Sequence, residues 1–168
     1  QMYEVIRDNV DELIQALSGH PNEEGHFYRV RDWDRDKEQY ARLDKVQKAA
    51  RIIFLNKTCY NGLFRVNNAG EFNTPFGHYK NPNIVNSPVL KAVSAYFRRA
   101  RMVFGSRDYE EVLGEVAKGT FVYLDPPYDP VSDTANFTGY TKGGFDRSEQ
   151  IRLRRCCDEL DRRGIRFM

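Results

Sequence analysis

The sequence TFVYLDPPY, residues 120–128, joins an apolar run rich in aromatic and β-branched residues to a turn with two consecutive prolines. The run 120–124 predicts a buried strand. The prolines fix φ and prevent a helix from starting, so Asp125 and Tyr128 are held at a defined separation. This turn follows the carboxyl end of the strand, which is the edge where open α/β sheets bind ligands.

The segments around this turn alternate between strand-like and helix-like patterns. We predict a strand at residues 102–104, helices at 108–117 and 147–163, and a further strand from Ile165 onward. Such alternation is typical of a parallel sheet with right-handed crossovers. The carboxyl-terminal part of the chain is therefore expected to be an α/β structure.

The chain before Phe97 has a different pattern. Apolar spacing predicts helices over residues 5–17 and 40–54, and a third helix that Ser87 caps. Between the second and third of these helices, residues 58–86 alternate Gly and Pro with aromatic residues. This pattern predicts a long ordered loop or β-ribbon, and long ordered loops usually carry function. We divide the chain into a core helix (1–18), a helical and loop-rich region (19–97) and an α/β part (98–168).

Composition restricts the functional classes only weakly. The net charge of +2 neither favours nor excludes a nucleic-acid partner. The three cysteines have no spacing typical of a disulfide framework or a zinc site, so we expect no metal and a reducing compartment. No apolar run approaches the roughly 20 residues that cross a bilayer, and residues 1–10 lack a signal-peptide pattern. We expect a cytoplasmic protein that does not bind membranes.

The turn after the strand suits one chemical problem, the methylation of the exocyclic amine of adenine. That nitrogen is a poor nucleophile because its lone pair is delocalised into the ring. Hydrogen bonds from the amine to Asp125 and to the Pro126 carbonyl would direct the lone pair toward a methyl donor. Tyr128 would stack on the base, which must leave the duplex. A plain turn is the alternative, but the position after a strand favours catalysis.

Three motifs resemble the Dam-type DNA adenine methyltransferases and their restriction-modification relatives. They are YNGLFRVN (60–67), GEFNTPFGHYKNP (70–82) and FVYLDPPYDPVSDTANFTGYTKGGF (121–145), and the resemblance extends over nearly the whole chain. It implies S-adenosylmethionine as methyl donor, double-stranded DNA as substrate, and a Rossmann-like methyltransferase sheet with an inserted, mainly helical target-recognition lobe. We also expect a bacterial or phage protein that is monomeric in solution and associated with the nucleoid during activity.

The same resemblance assigns roles to individual residues. Asp125, Pro126, Pro127 and Tyr128 would be catalytic, and Asp125 would also contact the donor. Arg65 is the leading base-reading residue, because arginine can pair bidentately with guanine O6 and N7. The expected DNA-binding residues are Tyr60 and Asn61 at the flipped-out site, Leu63 and Arg65 in the groove, Pro75 and Tyr79 on the far side of the target, and His78 and Lys80 at phosphates. Asn67 is also expected to bind DNA. For His78 and Lys80, each taken alone, a solvated loop surface is an equal alternative.

Asp108 and Tyr109 lie where similar methyltransferases place an acidic and an aromatic residue against the donor's adenine ring. A helix cap followed by a core aromatic residue is the competing interpretation, and the residues alone favour it slightly. The family's amino-terminal Trp-Gly-Gly-Lys segment and glycine-rich loop have no counterpart here. The chain begins within a helical pattern and stops within a strand-like run. We therefore expect a fragment that alone neither binds the donor nor turns over.

Three alternatives to this enzyme remain open. The same chemistry could act on RNA or a protein amide, although the motifs in residues 60–79 argue against it. The chain could be a binding module that grips DNA without catalysis, or its α/β part could serve another small molecule. Within the first interpretation, the match at Arg65 and Tyr79 favours GATC as the target sequence.

Overall fold

A computed structural model describes residues 1–127 and 145–168, which fall into two compact units, 1–104 and 105–168. The first unit contains helices α1 (Met2–Asp8), α2 (Val10–Ser18), α3 (Glu24–Arg31), α4 (Lys37–Arg42), α5 (Lys45–Thr58) and α6 (Ser87–Arg99), with 3₁₀ turns at Asp32–Asp34 and Tyr60–Gly62. The second unit contains α7 (Tyr109–Glu115), β1 (Phe121–Val122), α8 (Arg147–Arg162) and β2 (Arg166–Phe167).

Helix α5 is central to the first unit, where it packs against α1, α2 and α3. Its side chains Phe54 and Leu55 are fully buried beside Leu13, Leu17 and Phe27. Burial of one such side chain stabilises a fold by roughly 1.5–3 kcal/mol. This core supports the long loop that follows α5.

The single helix predicted over residues 5–17 is wrong, because α1 and α2 meet at Asn9 (φ −132°, ψ 41°). The carbonyl of Arg7 at the end of α1 accepts hydrogen bonds from Ser94 Oγ at 3.0 Å and Arg98 Nε at 2.6 Å. Side chains of α6 therefore satisfy a carbonyl that a continuous helix would use itself. The apolar stripe continues in phase across Asn9 and does not reveal this break.

The helix predicted over residues 40–54 is also two helices. Asp44 caps α5 through a capping box with Gln47, in which each backbone amide donates to the other side chain at 2.8 and 3.0 Å. This Asp-x-x-Gln signal is present in the sequence. Helix α3 was not predicted because Phe27 and Val30 are its only buried residues, and Asn86, not Ser87, caps α6.

In the second unit, β1 pairs in parallel with β2, as predicted for this part of the chain. The strand predicted over residues 120–124 is shorter, however, and its predicted burial is wrong, because Phe121 is 57% and Tyr123 65% exposed. The ladder extends beyond both strands, because Leu124 N donates to Met168 O at 2.7 Å and Met168 N donates to Val122 O at 2.9 Å. Leu160 of α8 and Ile165 are buried against α7. The described residues thus have a mixed helix and strand fold with a small parallel sheet.

The strand predicted at residues 102–104 is wrong. Arg101 adopts a left-handed backbone conformation (φ 51°), and Met102 N donates to Phe97 O at 3.1 Å, so the chain turns after α6. Val103 is 90% exposed. In the part of the chain that the structure describes, no strand lies beside these residues to form a ladder.

Candidate active site and nucleic-acid interface

The turn of residues 125–127 follows directly from the parallel ladder. Because Leu124 is bonded to Met168, the strand direction is maintained up to the residue before Asp125. Asp125 is exposed, whereas the two prolines are partly buried. The carbonyl of Pro127 accepts a hydrogen bond from Gln150 Nε2 of α8 at 3.2 Å. Tyr128, the fourth residue expected to be catalytic, lies outside the described residues.

A cleft of about 780 Å³ opens beside this turn. Its walls come from three places: the start of α7, the turn after β1 and the start of α8. The residues that line it and matter for the chemistry are Asp108, Tyr109, Asp125, Pro126, Pro127, Phe145, Glu149 and Arg152. The structure therefore brings together the expected donor-binding pair and three of the four expected catalytic residues.

Asp108 has two structural tasks at the rim of this cleft. It caps α7, because its Oδ1 accepts from Glu110 N at 2.9 Å, which confirms the helix-cap interpretation. The same carboxylate pairs with Arg152 at two points, 2.6 Å from Nη2 and 3.0 Å from Nη1. This pairing with Arg152 is the main reason that the pKa of Asp108 lies below its ordinary value.

Tyr109 lies against the buried cluster of the second unit while its ring lines the cleft. Its hydroxyl donates to Glu149 Oε2 at 3.0 Å, and the Arg152 guanidinium lies 4.8 Å from the ring centroid. Burial, followed by the bond to Glu149, raises the pKa of Tyr109 to about 12. The phenol is therefore a neutral hydrogen-bond donor at physiological pH.

Sequence reasoning missed Glu149 and Arg152. Their spacing of three residues on a predicted helix places them on one face, which was a signal that they act together. The sequence did not show that this face would meet Asp108, because that contact spans 44 residues. Arg152 also pairs with Glu110 at 2.6 Å and with Glu149 at 3.4 Å, so one cation contacts three carboxylates.

In the first unit, the segment 58–80 is an ordered loop that begins with a tight turn. Tyr60 N donates to Pro75 O at 2.9 Å, and Gly77 N donates to Thr58 O at 2.8 Å. Asn61 has a left-handed conformation (φ 52°), and the ring of Tyr60 is 55% exposed. The turn therefore presents Tyr60 and Asn61 to solvent from a fixed backbone.

Residues 65–73 form a short hairpin with the isolated antiparallel bridge Val66–Phe72. Arg65 is exposed, and its Nε donates to Asn73 Oδ1 at 3.0 Å. Asn67 closes the end of the hairpin, because its Oδ1 accepts from Ala69 N and from Glu71 N, each at 3.0 Å. The base of the hairpin is tied by Thr74 Oγ1, which donates to Leu63 O at 2.7 Å.

The return of the loop past α5 depends on Gly77. A Cβ atom there would lie 2.7 Å from the Cys59 carbonyl oxygen, which is backbone and cannot move aside easily. Beyond it, His78, Tyr79 and Lys80 are exposed, and Tyr79 O accepts from Asn22 Nδ2 at 2.7 Å. The residues expected to bind DNA thus share one cross-linked loop, with Pro75 exposed and Leu63 partly buried.

Neither a metal-binding cluster nor a membrane-spanning helix is found among the residues that the structure describes. Residues 1–127 and 145–168 contain no group of three or more His, Cys, Asp or Glu side chains that could hold a metal ion. Within the same ranges, every helix is too short or too polar to span a lipid bilayer.

The whole chain, residues 1–168, matches the family described as D12 class N6 adenine-specific DNA methyltransferase. It is 40% identical over 171 residues to the type II methyltransferase M1.LlaDCHI of Lactococcus lactis subsp. cremoris, covering 99% of this chain and 59% of the relative. It is 43% identical over 176 residues to the type II methyltransferase M.MjaIII of Methanocaldococcus jannaschii, with the same two coverages. The DNA adenine methylase of Escherichia coli K12 is 32% identical over 172 residues, 98% of this chain and 58% of the relative.

These matches define the class of protein. The chain belongs to the D12 class of N6 adenine-specific DNA methyltransferases. It spans about three fifths of the length of the curated relatives that it matches.

Proposed function

We propose that the protein transfers a methyl group from S-adenosylmethionine to N6 of adenine in double-stranded DNA. The observation that carries this proposal is the Asp125–Pro127 turn, which follows a parallel strand and lines a cleft with Tyr109. The family description and the names of the relatives, type II methyltransferase and DNA adenine methylase, support the same reaction. A Rossmann-like sheet that includes β1 and β2 belongs to this proposal.

The chemistry requires an acceptor for the amine and a fixed direction of attack. The Asp125 carboxylate and the Pro126 carbonyl accept hydrogen bonds from N6, since proline leaves its carbonyl in a stiff backbone. Positive charge that develops on the nitrogen is stabilised by these preorganised acceptors. A bound donor would supply the methyl carbon: N6 would bond to it as the bond from that carbon to sulfur breaks, and the proton that N6 loses would pass to water.

Tyr128 stacks on the adenine after the base has left the duplex, which gives the amine access to the turn. Stacking of an aromatic side chain contributes roughly 1–3 kcal/mol per base. Removing the base from the duplex costs energy, and this stacking offsets part of that cost. Both contributions fit a site at a sheet edge, because a paired base cannot enter it.

The donor supplies an electrophilic methyl group on a sulfonium cation. The cleft fits part of such a molecule, because its volume of about 780 Å³ lies in the range of small-ligand sites. Tyr109 and Phe145, with ring centroids 6.3 Å apart, offer aromatic surface. Asp125 would supply negative charge that favours a bound sulfonium, and Asp108, although paired with Arg152, lines the same cleft.

The loop of residues 58–80 is the proposed DNA-reading element. With Nε bonded to Asn73, Arg65 keeps both Nη groups for guanine O6 and N7. Tyr60 and Asn61 act where the target base leaves the helix. Leu63 lies with Arg65 in the groove, and Pro75 and Tyr79 flank the far side of the target. Asn67 contributes through the hairpin that it closes, and His78 and Lys80 contact phosphates. GATC is the proposed target.

The test is methylation in living cells. The protein, expressed with any sequence that flanks this chain in its gene, is produced in bacteria that lack adenine methylation, and N6-methyladenine is mapped by single-molecule sequencing. We expect methylation at one short motif, and loss of at least 100-fold on Asp125→Ala. Asp158→Ala is the matched control, because that exposed carboxylate lies in the same unit away from the cleft.

Three outcomes would change the proposed substrate, activity or target sequence. An unmethylated genome from a folded, donor-binding protein would exclude DNA as substrate, and methylated RNA or protein in the same cells would identify the replacement. Retention of specific DNA binding without donor binding would indicate a binding module. Methylation at a single motif other than GATC would keep the enzyme and change only its specificity.

A further inference from the structure

The hairpin of residues 65–73 is bonded along both sides of its second strand. Toward the first strand, Asn73 N donates to Arg65 O at 3.0 Å, and Glu71 O accepts from Asn67 N at 2.9 Å. Phe72 lies between these two residues and directs its amide and carbonyl to the opposite side. The outer edge of this strand therefore needs partners of its own.

Two side chains of the neighbouring turn supply these partners. Asp34 Oδ2 accepts from Phe72 N at 2.9 Å, and Arg35 Nη2 donates to Phe72 O at 2.7 Å. The Asp34 carboxylate thus takes the place of the backbone carbonyl of a third strand, and the Arg35 guanidinium takes the place of its backbone amide. Phe72 is 2% exposed, so both of its backbone groups would otherwise be buried without partners, which is costly.

Asp34 is itself fixed by a buried cation from the core helix α5. Arg51 is 4% exposed, and its Nη2 lies 2.8 Å from Asp34 Oδ2. The same guanidinium donates to Val30 O at 2.9 Å and to Arg31 O at 2.6 Å. Burial alone would raise the pKa of Asp34, but the Phe72 amide and Arg51 keep it below its ordinary value. The carboxylate is therefore charged and oriented at neutral pH.

These contacts form one chain from the core to the exposed Arg65 side chain. The Arg51 guanidinium pairs with the Asp34 carboxylate, which accepts a hydrogen bond from the Phe72 amide. The next residue, Asn73, accepts from Arg65 Nε through its Oδ1 at 3.0 Å. A shift of the strand would therefore move the guanidinium with it. We propose that Asp34, fixed by Arg51 and assisted by Arg35, positions Arg65 for recognition of a base pair. This inference rests on the proposed DNA-reading function of the loop.

A positioning role predicts a particular pattern of loss. Bidentate pairing with a base edge requires correct distance and direction at two atoms, so a small displacement weakens it. Contacts to phosphates carry no sequence information and depend mainly on charge. Disturbance of Asp34 should therefore reduce discrimination between target and altered sites more than it reduces total DNA binding.

The experiment measures kcat/KM on duplexes with the mapped target and with one base pair of it replaced. The protein is made with any flanking sequence of its gene. Asp34→Asn keeps the shape of the side chain and removes its charge. We expect the ratio of kcat/KM between the two duplexes to fall about tenfold, since a good bidentate contact contributes that order of discrimination. Asp11→Asn is the control, because Asp11 is an exposed carboxylate of the same unit that pairs with Lys91, outside this chain of contacts.

A second variant keeps the inference testable if Asp34→Asn does not fold. Arg35→Ala removes the bond to Phe72 O but leaves the buried pair of Asp34 and Arg51, and we expect the ratio to fall about threefold. If either folded variant slows both duplexes equally, Asp34 is merely structural and the inference fails. If the wild-type protein methylates no duplex, the proposed function fails first, and this result is distinct from an unchanged ratio.

Discussion

Arg152 holds Asp108 at two points, with Nη2 2.6 Å from Oδ1 and Nη1 3.0 Å from Oδ2. The guanidinium also lies 4.8 Å from the centre of the Tyr109 ring. One side chain of α8 therefore fixes both residues that were expected to meet the donor. Because Arg152 is one third exposed, its ion pairs contribute little to the free energy of unfolding.

From this geometry we predict that Arg152→Gln weakens binding of S-adenosylmethionine by about three- to tenfold, while thermal unfolding changes little. The measurement is isothermal titration of the donor into the folded protein, made with any sequence that flanks this chain in its gene. Arg154→Gln serves as control, because Arg154 is 82% exposed and pairs loosely with Asp158 at 3.8 Å. Equal donor affinity in both variants would show that Arg152 has no part in the donor site.

Gly77 provides a prediction about the DNA-reading loop. In Gly77→Ala, the new methyl group would lie 2.7 Å from the Cys59 carbonyl oxygen. The two backbone segments would have to separate, and we expect a loss of about 1–3 kcal/mol in the free energy of unfolding. Trp33, the single tryptophan, packs against the core of the first unit, so its fluorescence reports the urea transition of that unit.

The matched control is Gly25→Ala in α3 of the same unit. A Cβ there meets only the side-chain atom Arg29 Nη1, at 3.5 Å, and alanine in a helix is about 0.5–1 kcal/mol more favourable than glycine. We expect no fall in the Trp33 transition midpoint. A Gly77→Ala protein with an unchanged midpoint would mean that the loop yields without cost.

Part of this architecture could be predicted from the sequence. The run 120–124 and the prolines after it indicated a strand and a stiff turn, and the parallel pairing with residues 166–167 is confirmed. Local signals also sufficed at Asp108, whose cap position was one of two interpretations. These features succeed because periodicity and proline geometry act over a few residues.

Other features depend on partners that are remote in sequence. The break at Asn9 accompanies bonds from α6 to the Arg7 carbonyl, 87 and 91 residues away. The clamp of Asp34 on Phe72 spans 38 residues, and nothing in the spacing of either residue indicated it. A charged residue on a helix usually faces solvent, so the burial of Arg51 was not expected even though its neighbours along the chain are apolar.

A pH prediction follows from His20, which stacks on Phe54 with ring centroids 4.7 Å apart and whose Nδ1 lies 2.9 Å from His26 Nε2. Burial, with a smaller contribution from His26, lowers the pKa of His20 to about 4 from 6.5. Between these values the unfolded chain binds a proton that the folded protein does not. The free energy of unfolding should therefore fall as pH decreases from about 6.5 to 4, by on the order of 2 kcal/mol.

The measurement is the urea midpoint of Trp33 fluorescence at several pH values. His20→Gln should make the dependence less steep over this range, because one titrating ring is removed, while His26, whose pKa burial also lowers, still contributes. His78→Asn is the control, since His78 is exposed and asparagine tolerates its positive φ of 54°. The explanation is wrong if His20→Gln retains the wild-type slope.

Arg65 and Lys80 offer a contrast between base reading and phosphate contact. Arg65→Lys keeps the positive charge but loses the planar pair of donors that matches guanine, so we expect kcat/KM at the target to fall about 10- to 100-fold. Altered sites should be affected much less.

Lys80→Ala should instead weaken binding to all sequences similarly and reduce the slope of log affinity against log salt by about one. Fluorescence anisotropy across a salt series, with kinetics on both duplexes, separates the two patterns, and a uniform loss in Arg65→Lys would contradict the base-reading role.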